Sequence, residues 1–166
     1  VLEALAYLHS RTPPVIHRDI KPGNIKITPG GRAVLVDFGL AKTLASPGGQ
    51  DSEISVEGDL AGTPAYMSPE QARGEPVDQS SDLFSLGSVL YAMCAGRPLF
   101  RAESSYGVLR RIIDDEPKSI REINPEIPAW LCMIIAKLMS KDTKTQAWGP
   151  DVASGNLAHS FEEMEC

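Results

Sequence analysis

His17-Arg18-Asp19-Ile20-Lys21-Pro22-Gly23-Asn24 is the stretch on which the reading of this 166-residue chain turns. It is polar and loop-like, yet β-prone apolar residues flank it: Val15 and Ile16 before, Ile25 and Ile27 after. Between Asp19 and Asn24 it holds a carboxylate, an ammonium and an amide. Together these groups can handle phosphate, a divalent cation and a hydroxyl proton.

Upstream, Leu2, Leu5, Ala6 and Leu8 keep near-helical spacing until Ser10-Arg11-Thr12-Pro13-Pro14 stops the helix. Downstream, Ile25 and Ile27 alternate with Lys26 and Thr28, Pro29-Gly30-Gly31 supplies a turn, and Ala33-Val34-Leu35-Val36 a return strand. The pattern predicts a hairpin over 24–37 that delivers Asp37-Phe38-Gly39 close to where the first strand began. Folding it brings the oxygens of Asp19, Asn24 and Asp37 together, a hard donor set suited to Mg²⁺. Taken singly, Asp19 and Asn24 are equally turn caps, and Asp37-Phe38-Gly39 equally a bend.

Thr43 to Leu60 is rich in Gly, Ser, Asp and Glu and lacks periodicity, which marks a functional or disordered loop. Gly62-Thr63-Pro64-Ala65-Tyr66-Met67-Ser68-Pro69-Glu70 ends it with stiffening residues. Ser80-Ser81-Asp82 is expected to cap a helix to about Ala95. Its stripe is Leu83, Leu86, Leu90 and Met93, widened by Val89, Tyr91 and Cys94, so burial on most sides follows. Ser104 or Ser105 begins an amphipathic helix to about Asp115, with Val108, Leu109, Ile112 and Ile113 inward and Arg110-Arg111 outward. Pro128 suits the first turn of another helix, with Leu131, Ile134, Ile135 and Leu138 at core spacing. Periodicity fails beyond Lys141, and residues 143–166 are expected to form a poorly packed tail. There is no internal repeat.

Apolar content of 42%, charged content of 23% and a net charge of -6 fit an ordinary globular domain. They argue against a general nucleic-acid or anionic-membrane binder, which would carry a basic excess. Cys94, Cys132 and Cys166 are odd in number and lack metal-ligand spacing. A disulfide framework is not expected. A reducing, cytoplasmic setting is, with Cys94 and Cys132 as small core residues. The apolar run Leu83 to Ala95 is too short to span a bilayer, and no signal peptide is visible. The chain opens within a helical pattern and without Met, so it is expected to be a fragment. Nothing in the sequence specifies an oligomeric state.

His-Arg-Asp-Ile-Lys-Pro-Gly-Asn, Asp-Phe-Gly-Leu-Ala-Lys, Gly-Thr-Pro-Ala-Tyr-Met-Ser-Pro-Glu-Gln and Asp82-Leu-Phe-Ser-Leu-Gly87 follow one another in that order. Over residues 1–142 the chain resembles the C-terminal catalytic lobe of the eukaryotic-like protein kinases. Lys21 with Gly-Thr-Pro resembles the Ser/Thr branch, and Pro-Gly-Asn with Ser-Pro-Glu-Gln the bacterial one. The resemblance implies a mainly α fold of the α+β kinase family, a helical lobe with a small β-hairpin. It implies ATP with Mg²⁺ (or Mn²⁺), and protein substrates bearing Ser or Thr.

By the same resemblance Asp19 orients the substrate hydroxyl and takes its proton. Carboxylates are weak bases, so orientation matters more than abstraction. Lys21 neutralises the γ-phosphate, Asn24 and Asp37 hold the metal, and Thr63 hydrogen-bonds the Asp19/Lys21 pair. His17 packs against Phe38, which precedes Gly39, and Asp82 bonds catalytic-loop amides. The acceptor groove involves Gly62 to Met67 and the helix near 104–116. A phosphoserine at Ser46, Ser52 or Ser55 could pair with Arg18 and order the loop. A plain solvated loop suits Asp51, Glu53, Glu57 and Asp59 as well.

Two departures stand against the pattern. The family's Gly-rich loop, its phosphate-pairing lysine and the glutamate holding that lysine belong to an N-terminal lobe not found in these 166 residues. The family's K-D-P-x-x-R reads Lys141-Asp142-Thr143-Lys144-Thr145-Gln146 here, so Gln146 stands where an Arg would pair with Glu70. Removing one partner of such a buried pair costs about 3–5 kcal/mol, and Lys144 lacks the planar fork of Arg. Two functions follow as expectations: a Ser/Thr kinase, or an inactive kinase-lobe fragment acting as an interaction module or arising by truncation.

Overall fold

A computed structural model describes residues 1–37, 42–43 and 64–141. Phe38, Gly39, Ser46, Ser52, Ser55, Thr63, Lys144, Gln146 and the 143–166 tail lie outside the described residues. In chain order the elements are α1 (Leu2–His9), β1 (Val15–Ile16), β2 (Ile25–Ile27), β3 (Ala33–Leu35) and β4 (Lys42–Thr43). There follow α2 (Pro69–Arg73), α3 (Gln79–Ala95), α4 (Ser105–Asp114) and α5 (Ala129–Leu138). Short 3₁₀ turns occupy Pro22–Asn24, Pro64–Tyr66 and Ile120–Glu122. The described residues are mainly helical with a small hairpin, as expected.

α3 is the centre, and two apolar clusters lie on its opposite sides. Phe84 and Tyr91 face one cluster with Phe100, Val108, Ile112, Ile120, Ile135 and Met139. Leu86 and Val89 face another with Leu5, Ile20 and Leu35. Tyr66 and Leu90 pack against both. Burial raises the Tyr66 and Tyr91 phenols above their usual range.

The expected stripe on this helix holds in part: Leu86, Val89 and Tyr91 are buried. Met93 is not, at 74% exposed, and the buried surface also takes in Ser81, Asp82, Phe84, Ser85, Gly87 and Ser88. Small residues there let α5 approach closely. A methyl added at Gly87 would lie 2.7 Å from Met139 Cγ and 2.9 Å from Leu138 Cβ.

The helix start also differs from expectation. Asp78 is the N-cap, with Ser81 completing a capping box, and its carboxylate accepts from Ser80 N at 2.8 Å. That leaves Asp82 in the first turn, free of capping work. The other boundaries agree with expectation. Ser104 caps α4 by accepting from Gly107 N at 3.1 Å. Pro128 lies immediately before α5. Lys141 Nζ donates to the carbonyls of Ile113 and Asp115 at 3.1 and 2.6 Å. It thereby ties the end of α5 to the negative end of α4.

β2 and β3 form the expected antiparallel hairpin, pairing Ile25 with Leu35 and Ile27 with Ala33. Ile27, at its outer end, is 67% exposed, so burial fades along the strand. No local pattern marked the second pairing, in which β4 returns to β1 with Val15 opposite Thr43 and Ile16 opposite Lys42. Residues 17–24 are therefore bracketed by paired backbone on both sides. Cys94 and Cys132 are half-buried against the first cluster. Desolvation, then proximity to Cys132, pushes the Cys94 thiol up. Among the described residues no helix is long and apolar enough to cross a membrane.

Gly87→Val is expected to lower stability by about 1–3 kcal/mol through overpacking against α5. Urea denaturation monitored by far-UV circular dichroism checks this, and an unchanged midpoint would contradict the close approach.

Candidate active site

The 17–24 stretch makes few strand or helix hydrogen bonds of its own, so other elements must hold its backbone. Asp82 does most of this. Its side chain is 1% exposed. Oδ2 accepts from His17 N at 2.9 Å, and Oδ1 accepts from Arg18 N at 2.9 Å. His9 Nε2, at the end of α1, also meets Oδ2 at 2.9 Å. Three donors compensate a carboxylate taken out of water.

Arg18 takes a left-handed conformation with φ 69°, which is uncommon for a long side chain. Its N–H is held by Asp82, and its carbonyl accepts from Gln71 Nε2 at 2.7 Å. The backbone is thus fixed on both sides of the strained residue. Arg18 Nε is buried and has no hydrogen-bond partner among the described residues.

His17 is fully buried, and its Nδ1 accepts from Asp19 N at 3.3 Å. This is a loop-internal contact, compatible with the structural role expected of it. The next turn assembles the polar cluster. Lys21 Nζ lies 2.8 Å from Asp19 Oδ2, and Asn24 Nδ2 donates to the same oxygen at 2.9 Å. Asn24 Nδ2 also donates to the Asp19 carbonyl at 2.9 Å. Both contacts require the amide nitrogen there, which leaves the amide oxygen as the acceptor available to a cation. Among the described residues no hydrogen bond is made to Asp19 Oδ1.

Asp37 reaches the same neighbourhood through the hairpin. Val36 N donates to the Asn24 carbonyl at 2.9 Å, so Asp37 is one residue beyond the position opposite Asn24. It is exposed, also with positive φ, 65°. Two strained residues, Arg18 and Asp37, thus flank the cluster, the kind of site at which backbone strain concentrates. An amide oxygen and a carboxylate fit Mg²⁺, which takes few protein oxygens and keeps water and phosphate as its other ligands.

Glu70, expected to lack its cationic partner, receives a neutral hydrogen bond from Ser81 Oγ. Sequence reasoning missed three supporting residues: His9, Gln71 and Ser81. For Gln71 a signal was present, since Ser68-x-x-Gln71 is a capping-box pattern. His9 carried none, because its partner is 73 positions away. Asp82→Ala is expected to cost about 2–4 kcal/mol, since it strands two buried N–H groups. The check is chemical denaturation together with amide exchange at residues 17 and 18, which should quicken; unaltered exchange would deny Asp82 its anchoring role.

Residues 1–150 match the family model described as the protein kinase domain. The chain is 40% identical over 146 residues to a probable serine/threonine-protein kinase PknB of Bifidobacterium longum, covering 88% of this chain and 20% of that protein. It is 36% identical over 138 residues to the DNA damage-responsive serine/threonine-protein kinase RqkA of Deinococcus radiodurans, covering 83% and 20%. It is 37% identical over 139 residues to serine/threonine-protein kinase PknB of Mycolicibacterium smegmatis, covering 81% and 21%. The chain spans about a fifth of the length of the curated relatives it matches. A motif set in the order the family requires, a buried aspartate anchoring its loop and this similarity agree: the chain belongs to the protein kinase family, in its bacterial-type serine/threonine branch.

Proposed function

We propose that residues 1–142 carry the catalytic floor of a serine/threonine kinase, which transfers the γ-phosphate of ATP to Ser or Thr hydroxyls of proteins. The observation that carries this reading is the Asp19–Lys21–Asn24 cluster beside Asp37. An ammonium and an amide gathered on one carboxylate oxygen support the reading that all three groups would serve one reacting phosphoryl group.

Phosphoryl transfer has a loose transition state, so the protein mainly positions groups and neutralises charge. Asp19 Oδ2 is engaged by Lys21 and Asn24, and Oδ1 is the oxygen that would accept the proton of the substrate hydroxyl. Lys21, 39% exposed, can leave that carboxylate for the phosphate as negative charge gathers there. Exposed ion pairs of this kind are worth little, about 0–1 kcal/mol, so the exchange is cheap. Asn24 and Asp37 would hold Mg²⁺ or Mn²⁺. When bound, the ion neutralises the phosphate oxygens. Thr63 is assigned to the Asp19/Lys21 pair by the family pattern. The net charge of -6 speaks against a nucleic-acid partner, and the free Cys94 and Cys132 fit a reducing, cytoplasmic setting.

Arg18 Nε, which has no hydrogen-bond partner among the described residues, supports a regulatory reading of the loop between 43 and 63. A phosphoserine at Ser46, Ser52 or Ser55 would supply it with a charged acceptor.

Joined to a nucleotide-binding N-terminal lobe and given ATP, a divalent ion and a generic basic protein as acceptor, these residues are expected to support phosphate transfer, with Asp19→Asn lowering the rate at least ~100-fold. Asp37→Asn should raise the divalent-ion concentration needed for half-maximal rate. Transfer no greater than that of Asp19→Asn would overturn the kinase reading and favour an inert lobe acting as an interaction module. After incubation with ATP, mass spectrometry should find phosphate between residues 43 and 63; an unmodified peptide would remove the regulatory reading.

A further inference from the structure

Gln71 joins two segments that have different tasks. Its Oε1 accepts from Ser68 N at 3.0 Å and from Ser68 Oγ at 3.3 Å, completing the cap of α2. Its Nε2 donates to the Arg18 carbonyl at 2.7 Å, across 53 positions of sequence. An amide has one acceptor end and one donor end, and both are used, so the orientation of the group is determined by its neighbours.

The Arg18 carbonyl belongs to the peptide that leads directly into Asp19. Asp82 holds the amides of His17 and Arg18, the two peptides before it. Gln71 therefore holds the peptide that Asp82 does not reach. That peptide follows a residue with φ 69°, where a non-glycine backbone would otherwise relax. Asn24 then grips the Asp19 carbonyl from the far side.

We propose that Gln71 is a positioning residue for phosphoryl transfer, clamping the Arg18–Asp19 peptide so that the Asp19 carboxylate points at the substrate hydroxyl. The proposal rests on the kinase reading above. It makes the orientation of Asp19 depend on how α2 is seated at the end of the 43–68 stretch. Substrate or modification acting on that stretch would reach the catalytic carboxylate through one side chain.

Gln71→Glu separates the clamp from the cap. A glutamate still accepts from Ser68 N, and Ser-x-x-Glu is an equally good capping box, but it cannot donate to the Arg18 carbonyl. A role confined to the helix cap leaves the variant's activity and melting temperature as in the wild type. The clamp instead requires kcat to fall roughly 10–100-fold with the KM for ATP nearly unchanged and no loss of melting temperature. Ser68→Ala, which weakens the cap but keeps the Ser68 N–H on Gln71 Oε1, should lower the melting temperature and spare kcat. Equal kcat losses in the two variants would assign the effect to the helix and overturn the clamp.

A second readout needs no catalysis. Hydrogen exchange at the Arg18 and Asp19 amides should quicken roughly tenfold in Gln71→Glu. If wild-type protein transfers no phosphate, the kinase reading fails while this measurement still decides the clamp. Unchanged exchange at those amides overturns it. Gln71→Met, matched in length but without donor or acceptor, should repeat the exchange result; if it matches the wild type, the clamp is refuted.

Discussion

A buried carboxylate organises this molecule. Asp82 lies in the first turn of the central helix, out of water, where an uncompensated charge would cost several kcal/mol. Its compensation is two backbone N–H groups of one loop and the imidazole of another helix. The need runs both ways. The loop has no regular ladder to satisfy its amides, and the carboxylate has no side-chain donor other than His9 beside it among the described residues. Each removes the other's desolvation penalty, and so the loop is held where the helix points.

The core makes that arrangement rigid. α3 has apolar clusters on both sides, so it cannot rotate or slide without opening one of them. Its buried face also carries serines and Gly87, which allows α5 to lie close. A helix clamped in this way is a fixed post, and a carboxylate on it is a fixed anchor. The hairpin β2–β3 and the β1–β4 pair then set the two ends of the loop. Asp19, Lys21, Asn24 and Asp37 need no contacts with the core of their own, because the backbone that carries them is already constrained.

Chemistry follows from where that backbone is strained. Arg18 and Asp37 both adopt left-handed φ values, at 69° and 65°. They lie at the two ends of the segment that carries the polar cluster. Strain of this sort persists only if surrounding bonds over-determine it, and Arg18 has such bonds from Asp82 and Gln71. On the proposed reading the cluster serves phosphoryl transfer, and the physical arrangement explains why so few residues would suffice. Phosphoryl transfer asks mainly for held positions and opposed charge.

Much of this was legible in the sequence. Helical periodicity located α1, α3, α4 and α5, and alternation with a Pro-Gly-Gly turn located the hairpin, because both signals are local. The motifs named Asp19, Lys21, Asn24 and Asp37 for the same reason: their spacing along the chain carries the chemistry. The buried face of α3 was not legible, since Ser85, Gly87 and Ser88 are buried by what packs on them and not by their own hydrophobicity. The capping role given to Ser80-Ser81-Asp82 belonged to Asp78, two residues earlier than the first apolar position suggested. His9, Gln71 and Ser81 act through partners far away in the chain, and no local pattern encodes a partner. The sequence by itself determined which groups the proposed reaction would draw on. The tertiary structure alone decided which side chains hold them still, because a hydrogen bond between distant segments exists only once folding has brought its donor and acceptor together.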